Sequence, residues 1–140
     1  MKALHEACGQ MVSHGSKTSG IVLGPVVHAY TVTVLAKYID YSPRYTPPFF
    51  MRLAEASTRV DYVDLGEDTL MYGSYFQEFT ENRLGKGSVR YVRDIGQTCY
   101  AQAGMHDIVN EFSEICDVLK AVSGQYDIPK LYELGVLPLN

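Results

Sequence analysis

The sequence predicts an all-α protein, a globular bundle of five or six helices in a single domain spanning residues 1–140. Three observations carry that prediction. Apolar residues recur at three- and four-residue intervals along most of the chain. Glycine and proline punctuate the periodic runs at short intervals, as expected of helices joined by short loops. The chain has 140 residues, 46% hydrophobic and 20% charged, which suffices for one core but not two.

Leu4, Cys8, Met11 and Val12 have helical spacing, and Gly15 suits a left-handed C-terminal cap, so a first helix is expected over residues 2–13. Ser16 to Gly20 has turn composition and reads as a loop. Residues 21–36 are open to two readings. Val26, Val27, Thr31, Val32, Thr33 and Val34 are β-branched and suit a strand. A helix is preferred, because Pro25 fits a first helical position and Val27, Tyr30, Val34 and Tyr38 then share a face until Pro43.

The prolines between Tyr41 and Pro48 exclude regular structure there, and Thr46 can cap the next helix. Phe49, Leu53, Ala56, Val60 and Val63 step by three and four, which predicts one helix closed by Gly66. Asp68 is the expected N-cap of a helix that carries Met71, Tyr75, Phe76 and Phe79 and ends near Leu84 and Gly85, with Gly73 as its weak point. Ser88 then caps a helix whose face of Val89, Val92, Gly96, Cys99 and Ala103 is small enough for another helix to approach closely. Met105, Ile108, Phe112, Ile115, Leu119 and Val122 form the most regular apolar stripe in the chain, terminated by Gly124. Pro129 opens a last short helix through Leu134.

The formal net charge of −4 favours no partner class by itself, so local charge matters more. Residues 44–93 hold seven basic and seven acidic residues, whereas residues 94–140 hold two Lys against seven acids. Arg83, Lys86, Arg90 and Arg93 gather with Tyr91 around an expected helix start, where free N–H groups and guanidinium groups attract anions and Tyr91 can stack a base. These five residues are the candidate anion or nucleic-acid site, with ion pairing to Glu78, Glu81 and Asp94 as the plainer reading. Gly85-Lys86-Gly87-Ser88 is not a phosphate loop, because Thr80 stands where that loop needs glycine and no strand precedes it.

No metal site, cofactor or catalytic residue is expected. His5 and Cys8 lie three apart, but His14 falls on the opposite side of an ideal helix. His106, Asp107, Glu111 and Glu114 lack the Glu-x-x-His pair of di-iron helices. Cys8, Cys99 and Cys116 are odd in number and widely spaced, which argues for reduced, packed thiols. Tyr41, Tyr45, Phe49 and Phe50 either close one end of the core or face a partner.

No apolar run spans a bilayer and a charge interrupts the first residues, so a cytoplasmic protein without membrane contact is expected. These features favour a non-catalytic helical assembly or interaction protein, self-associating as a homo-oligomer and binding an acidic protein or an anionic polymer such as RNA through residues 83–93. The alternative is a small-molecule enzyme or sensor with a pocket among the helices, using His28, His106 or a cysteine.

Overall fold

A computed structural model describes residues 2–44 and 48–125. Those residues form helices α1 (Lys2–Ser19), α2 (Pro25–Tyr38), α3 (Phe49–Glu55), α4 (Arg59–Tyr72), α5 (Gln77–Leu84), α6 (Ser88–Gln102), α7 (His106–Asn110) and α8 (Phe112–Gln125), with no strand among them. The chain is therefore all-α, and the stretch 21–36 is helix from Pro25 onward, residues 21–24 having no regular structure. No helix among the described residues is long and apolar enough to cross a membrane. Tyr45, the cap expected at Thr46 and the short helix expected from Pro129 lie outside the described residues.

Helix α1 packs against both α2 and α8, and α4 lies along α6 with α3 and α5 at its flanks. Two apolar clusters result. The larger joins Met11, Leu35, Leu70, Ile115 and Leu119, while the smaller joins Phe49, Leu65, Tyr72, Val92 and Cys99. Tyr41 and Phe76 touch both.

Glycine governs how closely the helices approach. A Cβ on Gly96 of α6 would lie 2.7 Å from Thr69 Oγ1 and 2.9 Å from the Phe112 ring, and one on Gly66 of α4 would lie 3.2 Å from the Tyr100 ring. The close approach expected of the α6 face is thus made by α4. Gly15 does not end α1. It is buried mid-helix, where a Cβ would sit 2.9 Å from the Val118 carbonyl oxygen, so α1 runs on through the residues expected to form a loop. Gly20, with φ +71, supplies the left-handed turn instead.

The expected helix from Phe49 to Gly66 is broken at Ala56, whose backbone is extended. Thr58 and Asp61 form a capping box that starts α4: the Thr58 hydroxyl accepts from the Asp61 N–H at 3.1 Å, and Asp61 accepts from the Thr58 and Ser57 N–H groups. Those backbone donors, Ser57 first, hold the Asp61 carboxyl below its ordinary range. The cap is complete above the ordinary aspartate pKa and is lost as pH falls through the lowered one. Val60, expected on the apolar face, is 66% exposed. Gly66 and Asp68 fall inside α4, so neither is a terminus, and Asp68 accepts an ion pair from Arg52 at 2.9 Å.

Helix α4 ends at Gly73, and its last carbonyls are taken by hydroxyl and guanidinium donors. Ser74 Oγ donates to the Leu70 oxygen at 2.5 Å, Thr80 Oγ1 to the Tyr72 oxygen at 2.6 Å, and Arg93 Nε to the Gly73 oxygen at 2.6 Å. Ser88 is not an N-cap. Gly87, with φ +88, holds that position, and Ser88 Oγ donates backwards to the Gly85 oxygen at 2.6 Å. The stripe from Met105 to Val122 is split at Glu111, whose carboxylate accepts from the Gly24 N–H at 2.9 Å and fixes the start of α2. Its members Ile108, Phe112, Ile115, Leu119 and Val122 are all buried, and α8 continues through Gly124.

These contacts predict the outcome of two substitutions. Phe112→Asp or Ile115→Asp places an unpaired charge in the core and lowers stability by more than about 3 kcal/mol in chemical denaturation; wild-type midpoints would contradict the packing. Thr58→Ala costs about 1 kcal/mol and Thr58→Ser much less, and equal losses in the two would show that the cap contributes nothing.

Candidate functional site

The five residues expected to form one basic site are divided by the turn of α6. Residues 88 and 91 lie one turn apart and face α5, whereas 90, 93, 94 and 97 share another side. Tyr91 and Ser88 accordingly line a cleft of about 420 Å³ between α3, α5 and α6, to which Arg83 from the last turn of α5 also contributes. Arg90 and Arg93 line a separate, smaller cleft beside Phe112 and Ser113. Lys86 is exposed in the turn and lines neither.

The arginines also differ in what they already hold. Arg93 is tied to the Gly73 carbonyl, Arg59 Nε donates to the Ala103 carbonyl at 3.0 Å, and Arg52 pairs with Asp68. Lys37–Glu67 and Arg52–Asp68 form ion pairs, and among the described residues Arg83, Lys86 and Arg90 form none with Glu78, Glu81 or Asp94.

The floor of the larger cleft is aromatic. Tyr72 meets Phe49 edge-on at 5.5 Å and Phe79 edge-on at 5.9 Å between ring centroids. Tyr72 is held in place by its hydroxyl, which accepts from the Arg44 N–H and donates to the Arg44 carbonyl, both at 3.1 Å, and lies 3.2 Å from the Tyr41 hydroxyl. Because its one proton goes to Arg44, the Tyr41 hydroxyl is the donor of that pair. Burial pushes the Tyr72 phenol up to about 12, so it stays neutral at physiological pH.

Arg44 brings a second guanidinium to the cleft, its Cζ 5.8 Å from the Tyr41 ring, while that of Arg83 lies 5.6 Å from the Phe79 ring. Resting on a ring face orients each group and leaves N–H edges for a carboxylate or phosphate. These two are the charged residues among the described lining, and they have the same sign. The start of α6 at Ser88 adds the partial positive charge of its backbone.

The rim is apolar and open: Phe50 is 58%, Leu84 53% and Tyr91 41% exposed. Sequence reasoning found Arg83 and Tyr91 but missed Arg44, Phe79 and Leu84. Arg44 lies in the proline-rich segment, far along the chain from Arg83, and the nearest signal was the aromatic pair Phe49 and Phe50 beside it.

The residues considered for chemistry elsewhere are not brought into this cleft. Burial pushes the thiols of Cys8 and Cys99 up to about 11 and that of Cys116 up to about 12, which keeps them protonated near neutral pH. His28 lines a shallow depression with Ser13, Ser16 and Lys17, and His106 is exposed at the start of α7. Among the described residues no group of three or more His, Cys, Asp or Glu is placed to hold a metal ion.

The division of the arginines predicts a contrast. Arg93→Ala leaves a backbone carbonyl without its donor and costs about 1–3 kcal/mol, while Arg83→Ala changes stability by less than about 0.5 kcal/mol. Denaturation midpoints check this, and equal effects of the two would contradict it.

No protein-family model matches the chain, and no curated protein sequence and no solved structure shows significant similarity to it.

Proposed function

We propose that this chain is a non-catalytic binding protein that holds an anionic partner in the cleft between α3, α5 and α6. The observation that carries the reading is the combination there of exposed apolar side chains with two unpaired guanidinium groups and no carboxylate among the described lining residues. Exposed apolar side chains gathered at a concave site are a usual mark of a contact surface. The cleft has no cysteine, histidine or carboxylate among its described lining residues to serve as a base or to activate the Thr80 and Ser88 hydroxyls. The basic segment as a whole is not the unit of recognition, since Arg93 supports the fold and Lys86 and Arg90 lie off the cleft.

Fluorescence anisotropy of labelled polyglutamate and labelled oligouridylate at two salt concentrations tests the reading. The double variant Arg44→Glu/Arg83→Glu weakens the bound probe at least about tenfold, equivalent to ~1.4 kcal/mol, with unaltered melting. Lys86→Glu/Arg90→Glu has a smaller effect. Absence of binding to either probe at low salt, or equal losses in both double variants, overturns the proposal.

A further inference from the structure

The geometry points to one partner class for this cleft: an acidic segment of another protein that inserts a single aromatic or large aliphatic side chain. The inference rests on the binding reading and adds the identity of the occupant. Two features of the site favour it over nucleic acid.

The first is the ratio of charge to apolar surface. Affinity for a nucleic acid grows with the number of phosphates neutralised, and the cleft offers two cations, Arg44 and Arg83, on a chain of net charge −4. The exposed Lys86 and Arg90 lie off the cleft, so few phosphates of a polyanion would be neutralised within it. A short acidic segment has only the charge that two guanidinium groups can receive, and its carboxylates match their paired N–H donors.

The second is the shape of the aromatic wall. Phe49, Tyr72 and Phe79 interlock edge to face, so they form a closed apolar floor and not a row of free ring faces on which successive bases stack. Such a floor suits one inserted side chain, with the exposed Phe50, Leu84 and Tyr91 closing over it as a rim that excludes water. Apolar insertion supplies affinity, and the two arginines, placed at the edge, select for acidic neighbours.

The test uses the full chain and a fluorescein-labelled peptide in which one tryptophan is flanked by glutamates. Two control peptides replace the tryptophan by serine or the glutamates by glutamine, and oligouridylate of matched charge is the competitor. The parent peptide binds, each control binds at least about tenfold more weakly, and Tyr91→Ala and Leu84→Ser, both at exposed positions, weaken the parent by a similar factor. Melting of these variants stays at the wild-type value.

Equal binding of the serine control overturns the inference, because attraction would then be charge alone. Tighter binding of oligouridylate also overturns it while leaving the binding reading intact. Self-association that requires Arg44 and Arg83 and that the peptide fails to displace would make a second copy the occupant, again overturning the inference. Failure of every anionic probe would remove both readings together.

Discussion

The architecture depends on how closely α4 and α6 cross. Gly66 admits the Tyr100 ring, and Gly96 admits both Thr69 and the Phe112 ring, so side chains larger than glycine at either position would push the helices apart. The crossing buries Leu65, Thr69 and Leu70 on one helix and Val92, Cys99 and Tyr100 on the other. The same α6 carries Ser88 and Tyr91 into the cleft that they share with Arg83.

Polar contacts then tie α2 to α4. Glu67 accepts from the Tyr30 hydroxyl at 3.1 Å and from Lys37 at 2.7 Å, and the neighbouring Asp68 accepts from the Tyr38 hydroxyl and from Arg52. Because the Tyr30 proton goes to Glu67, Tyr100 donates to Tyr30 across 3.0 Å. Burial raises the phenols of Tyr30, Tyr38 and Tyr100 well above their ordinary value, so each remains a donor at physiological pH. This seam gives several of the eleven tyrosines a role: their rings fill apolar space while their hydroxyls add a second donor to two half-buried acids that Lys37 and Arg52 also pair.

How far each element could be read from the sequence depends on how many of its sides are covered. The stripe from Ile108 to Val122 was legible because solvent lies on its far side, leaving Asp107, Glu114 and Asp117 exposed. Helix α4 was not, since Leu65, Gly66, Thr69, Leu70, Met71 and Tyr72 are buried around its circumference and leave no single stripe. The break before it was written in Thr58 and Asp61, a capping-box spacing obscured by the three-and-four rhythm of the apolar residues across it. Gly15 and Gly66 read as terminators because a glycine that allows helices to touch and a glycine that ends a helix look the same in one dimension. At the site, Arg83 and Tyr91 could be read from local charge. Arg44 could not, because the Tyr72 hydroxyl that holds its backbone at the cleft is 28 residues away.

The proposed recognition falls at one place, where Arg44 and Arg83 border the Phe49–Tyr72–Phe79 floor. Titration of the isotopically labelled chain with 4-hydroxyphenylacetate, a minimal aromatic carboxylate, reads that assignment residue by residue through amide chemical shifts. Saturable shifts concentrated at Arg44, Phe50, Phe79, Arg83 and Tyr91 are expected. Shifts centred instead on Arg90, Gln97 and Ser113, or on the depression around Ser16 and His28, would contradict it.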